Sequence, residues 1–159
     1  MTRLYGRAPG GDRAVDKVPR NHGENLSTVG AMGLQGVITS MSIEGAFDNL
    51  AFDAFIEHML VPKLKPGQIV FMDRLQVHLS SEVERLITQA KAQLILLPSY
   101  SPDLNPIEKL WSKVKEFLRA TKARTKRKLL NALKKAFESV SLNDIRGCFR
   151  HCGYQPSPV

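Results

Sequence analysis

One stretch, Gln93 to Leu118 (QLILLPSYSPDLNPIEKLWSKVKEFL), restricts the possible folds more than any other. It opens with a strand-like apolar run, Leu94 to Leu97, and stops at Pro98. It then turns through Ser101-Pro102-Asp103 and Asn105-Pro106. Ile107, Leu110, Trp111, Val114, Phe117 and Leu118 follow at the helical period, forming one apolar stripe. Asn105 suits the N-cap and Pro106 the first helical position, where a missing N–H costs nothing. Glu108 therefore falls in the first turn, on the edge of the buried stripe, where a carboxylate can be aimed into a cleft beside a sheet end.

Upstream, Ile69-Val70-Phe71-Met72 is a short apolar run closed by Asp73. A run without alternation reads as a central strand covered on both faces. Asp73 then sits at its carboxyl end, where open α/β sheets place ligands. Between the two runs, Ser80-Ser81-Glu82 begins a helix whose inner face is Val83, Leu86, Ile87 and Ala90. Strand, helix, strand predicts a βαβ unit with the two strands parallel. Taken alone, Asp73 could cap a turn and Glu108 could simply complement a helix dipole.

An Asp closing an apolar strand, His78 five residues on (MDRLQVH), and then LLPSYSPDLNPIEKLW with 34 residues between Asp73 and Glu108 resemble the DDE transposases of bacterial insertion sequences in the mariner superfamily. The resemblance runs from MTRLYGRAP at the start to Gly153-Tyr154. It implies an α/β fold, an RNase H-like mixed sheet with flanking helices. It also implies a catalytic domain over residues 1–154 with a tail at 155–159, Asp73 and Glu108 as catalytic and metal-binding acids, and DNA cleavage and strand transfer with two Mg²⁺ or Mn²⁺ ions. The family's first catalytic Asp lies on a strand preceding the MTRLYGRAP segment. The expectation is thus an N-terminally truncated domain that lacks its first, central strand and is inactive alone, with the two-metal site complete only in the intact domain. Asp12 and Asp16 lie in the following loop and are not assigned the first acid's role. Arg74 stands where the family has Asn, and a cation there is expected to lower the pKa of Asp73 and to compete with metal.

Charge points to a partner. Residues 106–128 hold Lys109, Lys113, Lys115, Arg119, Lys122, Arg124, Lys126, Arg127 and Lys128 against only Glu108 and Glu116, which is +7 of the chain's net +8. A stripe of this density is the footprint of a phosphate-backbone binder, although most Lys-rich helix faces are merely solvated. Because the stripe shares a helix with Glu108, DNA is the expected partner, as transposon ends and target, with full-length transposase or self-association as further possibilities. Two other readings stay open: a non-catalytic basic fragment that binds DNA or interferes with transposase, and an unrelated RNase H-like nuclease needing another acid from within this chain.

The remaining segments frame this site. Met1 to Gly23, rich in Gly, Pro and Arg, reads as an irregular arm, with Gly10-Gly11 a turn rather than a phosphate cradle. Leu26 to Met32 and Val37 to Ile43 predict an antiparallel hairpin around Gly33-Leu34-Gln35-Gly36. Asn49 to Leu60 predicts a helix with Leu50, Phe52, Phe55, Ile56, Met59 and Leu60 inward and Asp53 and Glu57 in water. Pro62, Pro66 and Gly67 end it, and His58 receives no role. Leu129, Leu130, Leu133, Ala136, Phe137 and Val140 predict another helix, and Leu142 to His151 a last one. Cys148 and Cys152 read as small buried helix residues, since no second pair completes a zinc set. At 159 residues and 43% hydrophobic content the chain suits one domain with a real core. No run is long enough to span a bilayer and no leader is evident, so the expected location is cytoplasmic and nucleoid-associated.

Overall fold

The structure, a computed structural model, describes residues 8–13, 15 and 25–155. Residues 1–7 of the MTRLYGRAP segment, most of the expected arm, Asp16 and nearly all of the 155–159 tail lie outside the described residues. Within them, the Asp12 N–H bonds to the Pro9 carbonyl at 3.1 Å and Gly11 has φ +87°, so Gly10-Gly11 is a turn. The described residues fall into two compact units, one of residues 25–110 and 140–155, the other including residues 111–139.

The larger unit begins with an antiparallel hairpin, β1 (Leu26–Gly33) and β2 (Gly36–Glu44), in register from Leu26 opposite Glu44 to Gly33 opposite Gly36. Its loop is the two residues Leu34 and Gln35, and Gly36 takes φ +127°, which a side chain would resist. Pairing slips between Ala31 and Met32, leaving Ile38 as the extra residue of a bulge. Thr28 and Ser42 hydroxyls lie 2.9 Å apart across the strands.

Asp48 caps the next helix by accepting the Ala51 N–H. That helix, α1 (Asn49–Phe55), runs into a π-helical turn (Ile56–Leu60) and a 3₁₀ turn (Val61–Lys63). The expected helix over Asn49 to Leu60 is therefore present with its second half wound wider, the Val61 N–H reaching the Ile56 carbonyl. Two side chains depart from the expected faces. Leu50 is 79% exposed, because it sits in the first turn away from the core. Asp53, expected in water, is half-buried, and its Oδ1 is enclosed without a hydrogen-bond partner among the described residues.

Strands β3 (Ile69–Met72) and β4 (Gln93–Leu96) are parallel, Ile69 opposite Gln93 and Met72 opposite Leu96. Between them runs α2 (Ser81–Gln89), capped by the Ser80 hydroxyl, with Val83, Leu86 and Ile87 buried. The βαβ expectation is thus met in order and direction. Phe52, Phe55, Ile56, Leu60, Met72, Val83, Leu86, Ile87 and Ala92 form one core. Val29, Ala31, Ile38 and Met41 pack on it from the hairpin, and Val70, Leu94 and Leu96 from the parallel pair. Both strand pairs therefore share a single apolar interior. Among the described residues they nonetheless form two separate two-stranded sheets, with no ladder joining β1 or β2 to β3 or β4. The expectation that β3 is covered on both faces is corrected: Ile69 and Phe71, which alternate with the inward Val70 and Met72, are 50% and 40% exposed.

Helix α2 ends in a Schellman motif, the Ala92 N–H bonding to the Ile87 carbonyl and the Lys91 N–H to that of Thr88. Lys91 occupies the left-handed position at φ +58°, where glycine is normally favoured. Lys91→Gly should raise stability by about 0.5–1 kcal/mol, read as a midpoint increase in urea unfolding at constant slope. An unchanged or lower midpoint would mean that the strain is already relieved.

Helix α3 (Pro106–Thr121) follows a 3₁₀ turn at Pro102–Leu104, and its expected stripe buries Leu110, Val114 and Leu118. In the smaller unit, α4 (Lys126–Glu138) is capped by Thr125 and buries Ala132, Leu133 and Ala136, while Leu130, expected inward, is 37% exposed. Trp111 and Phe137 meet there edge to face at 5.7 Å. Helix α5 (Leu142–His151) belongs to the larger unit. It opens with a capping box between Ser141 and Asp144 and buries Ile145 fully.

Cys148 is half-buried and Cys152 buried. Burial pushes both the Cys152 thiol and the Tyr154 hydroxyl above their ordinary values of 9.0 and 10.0. An acid raised on folding stabilises the folded state below its ordinary pKa and loses that contribution as pH rises through the folded value. Stability should therefore begin to fall above about pH 9. Cys152 should resist iodoacetamide at pH 8 until the chain unfolds. Rapid alkylation of the folded protein at Cys152 would contradict this placement.

Candidate nuclease site and basic helices

Asp73 follows the last residue of β3, and the two parallel strands are tied at this end. The Leu97 N–H bonds to the Met72 carbonyl at 2.7 Å, and the Arg74 Nε donates to the Leu97 carbonyl at 3.3 Å. Arg74, expected to compete with metal for the Asp73 carboxylate, is instead engaged at the Leu97 carbonyl. Successive residues of an extended chain point to opposite sides, and Arg74 is spent on the end of β4.

The partner of Asp73 is instead His78. Its Nδ1 lies 2.6 Å from Asp73 Oδ1 and 3.1 Å from the Asp73 carbonyl, a geometry that requires a proton on Nδ1. Oδ1 also accepts the Leu75 N–H at 3.2 Å. The imidazole is half-buried and lies against the buried Phe52 ring, centroids 4.5 Å apart. This contact holds one face of the carboxylate in a fixed orientation. His78 stood in the motif without a role; its contact comes from the 3₁₀ turn Gln76–Leu79, which folds the chain back on Asp73.

Glu108 lies exposed in the first turn of α3, its N–H bonded to the Asn105 carbonyl at 3.1 Å. The preceding loop carries a feature that sequence reasoning missed. Tyr100 is fully exposed with a left-handed backbone, φ +58°. Carboxylates are the donors that Mg²⁺ and Mn²⁺ prefer, so Asp73 and Glu108 suit such an ion in kind. They do not suffice in number: among the described residues no group of three or more His, Cys, Asp or Glu is placed to hold a metal. The described side chains do not complete a divalent-cation site.

Eight of the nine basic residues are exposed: Lys113, Lys115, Arg119, Lys122, Arg124, Lys126, Arg127 and Lys128; Lys109, in the first turns of α3, is half-buried. Lys126, Arg127 and Lys128 form the first turn of α4, which contains no acid. Cations at a helix N-terminus oppose the helix dipole. Their density there is a cost in the isolated chain that an anionic partner would offset.

Residues 1–130 match the family model described as DDE superfamily endonuclease. The chain belongs to this family. Among curated proteins, this DDE endonuclease chain is 25% identical over 108 residues to the transposable element Tcb1 transposase of Caenorhabditis briggsae, covering 65% of the chain and 40% of that protein. It is 25% identical over 107 residues to the Tcb2 transposase of the same organism, covering 65% and 39%. The chain thus spans about two fifths of these relatives' length. A chain in the crystal structure of the Mos1 strand transfer complex superposes on the fold with a TM-score of 0.76 at 14% identity, covering 96% of this chain and 47% of that one. That likeness gives the chain the RNase H-like α/β fold. Among the described residues no helix is long and apolar enough to cross a membrane.

Proposed function

We propose that this DDE chain is the C-terminal part of an insertion-sequence transposase catalytic domain, residues 1–154 with a short tail at 155–159, that binds DNA but does not cut it alone. In this reading Asp73 and Glu108 are two of the acids that hold Mg²⁺ or Mn²⁺ in intact relatives, where two hard cations activate the attacking oxygen and stabilise the leaving one. The family match over residues 1–130 carries the assignment. That no group of three or more His, Cys, Asp or Glu among the described residues is placed to hold a metal is in keeping with this reading. His78 would orient Asp73 by holding Oδ1, while Arg74 is engaged at the Leu97 carbonyl. The basic residues of α3, the 122–125 connection and α4 would neutralise DNA phosphates.

A second reading is favoured by the two separate strand pairs over one core. Unpaired strand edges accept a further strand readily. A non-catalytic fragment could therefore pair with full-length transposase, or with itself, through such an edge. Salt-dependent DNA binding that survives Asp73→Ala and Glu108→Ala is expected under either reading. Co-purification with full-length transposase that inhibits its activity would favour the second. Absence of DNA binding at low salt would remove both.

A further inference from the structure

Tyr154 follows α5 and reaches two segments far from it in sequence. Its hydroxyl donates to the Leu104 carbonyl at 3.0 Å, and its ring lies against Phe71 with centroids 5.6 Å apart. Phe71 stands two residues before Asp73 on β3, and Leu104 closes the 3₁₀ turn four residues before Glu108. One side chain thus touches both segments that carry the candidate acids.

Its position is itself fixed. Helix α5 ends in a Schellman motif, with Gly153 left-handed at φ +82°, its N–H on the Arg150 carbonyl and the Tyr154 N–H on that of Phe149, each at 3.0 Å. The Phe149 ring stands edge-on to Tyr154, centroids 6.0 Å apart. Burial raises the hydroxyl above its ordinary value, so it remains a donor at neutral pH. A ring held at both its backbone and its flank loses little further entropy when its hydroxyl is engaged.

We infer that Tyr154 is a positioning residue, pinning the turn that launches Glu108 to the strand that delivers Asp73. Its bearing on catalysis rests on the reading of those two residues as site acids; the pin itself does not. Only one atom separates the pinned from the unpinned state, since Phe in place of Tyr keeps the ring and removes the donor.

Hydrogen exchange on the full chain tests this without DNA or metal. Tyr154→Phe should speed exchange of the Leu104, Asn105 and Glu108 amides about tenfold while leaving those of Val83, Leu86 and Ile87 unchanged. Phe71→Ala should act on the same three amides, and the double variant should add little, because each change releases the same pin. Unchanged rates at those three amides in Tyr154→Phe, faster exchange throughout the chain, or additive effects in the double variant would each overturn the inference. Loss of DNA binding by the unaltered chain would instead count against the transposase reading, leaving the exchange result to judge the pin.

Discussion

Replacing Lys122, Arg124, Lys126 and Arg127 together with Gln should weaken DNA binding by roughly a hundredfold or more at about 0.1 M salt, and flatten the plot of log affinity against log salt by roughly 3 to 4 units. Each cation in contact with a phosphate releases about 0.9 of a counterion, so four removed contacts account for the slope. All four residues are exposed, and two of them lie in a first helical turn where positive charge opposes the helix dipole. The same substitutions should therefore leave folding intact or improve it slightly. A titration across salt concentrations separates the alternatives. A variant that loses affinity without a change in slope would have lost structure rather than phosphate contacts, and a variant that binds like the parent would make the basic stretch a solvated surface.

Ile87→Ala should cost about 2–5 kcal/mol, enough to leave the larger unit substantially unfolded at room temperature. Ile87 is fully buried in the core beneath both strand pairs, among Phe52, Phe55, Ile56 and Val83. Truncation removes apolar contacts and leaves a cavity that α2 can close only by moving against the Ile56–Leu60 turn and β4. The reserve available to absorb this is small, because among the described residues each strand has a ladder partner on one side only. Urea unfolding followed by circular dichroism reads the effect. A loss below about 1 kcal/mol would mean that the core collapses freely around the site.

Periodicity and punctuation made much of the fold legible. The Gly33 to Gly36 hairpin loop, the apolar stripe from Ile107 to Leu118 and the span Leu142 to His151 correspond to a hairpin, to α3 and to α5. The parallel pairing of β3 and β4 followed from two apolar runs separated by a helix. Coverage was less legible. A hydrophobic pattern identifies the face that seeks burial but not whether anything lies over it, so the half exposure of Ile69 and Phe71 carried no local signal. The same holds for Leu50 and Asp53, whose exposures depend on where α1 meets the core.

Adjacency in sequence misled at Arg74, because neighbouring side chains of an extended backbone diverge and the guanidinium follows the carbonyl of Leu97. His78 was visible as part of a motif, but its 2.6 Å contact with Asp73 depends on a turn that no periodicity announces. Tyr154 is the extreme case. Its bond to Leu104 spans 50 residues, and only the folded chain brings the two together.

If Asp73 and Glu108 belong to a nuclease site whose remaining acid the described residues do not supply, this chain should not cut DNA by itself. A nicking assay on supercoiled plasmid, with Mg²⁺ and then Mn²⁺, compares the parent chain with Asp73→Ala at concentrations where both bind DNA. Neither protein should nick above buffer. Nicking by the parent chain that disappears in Asp73→Ala would contradict that expectation, because the site would then be complete within these 159 residues.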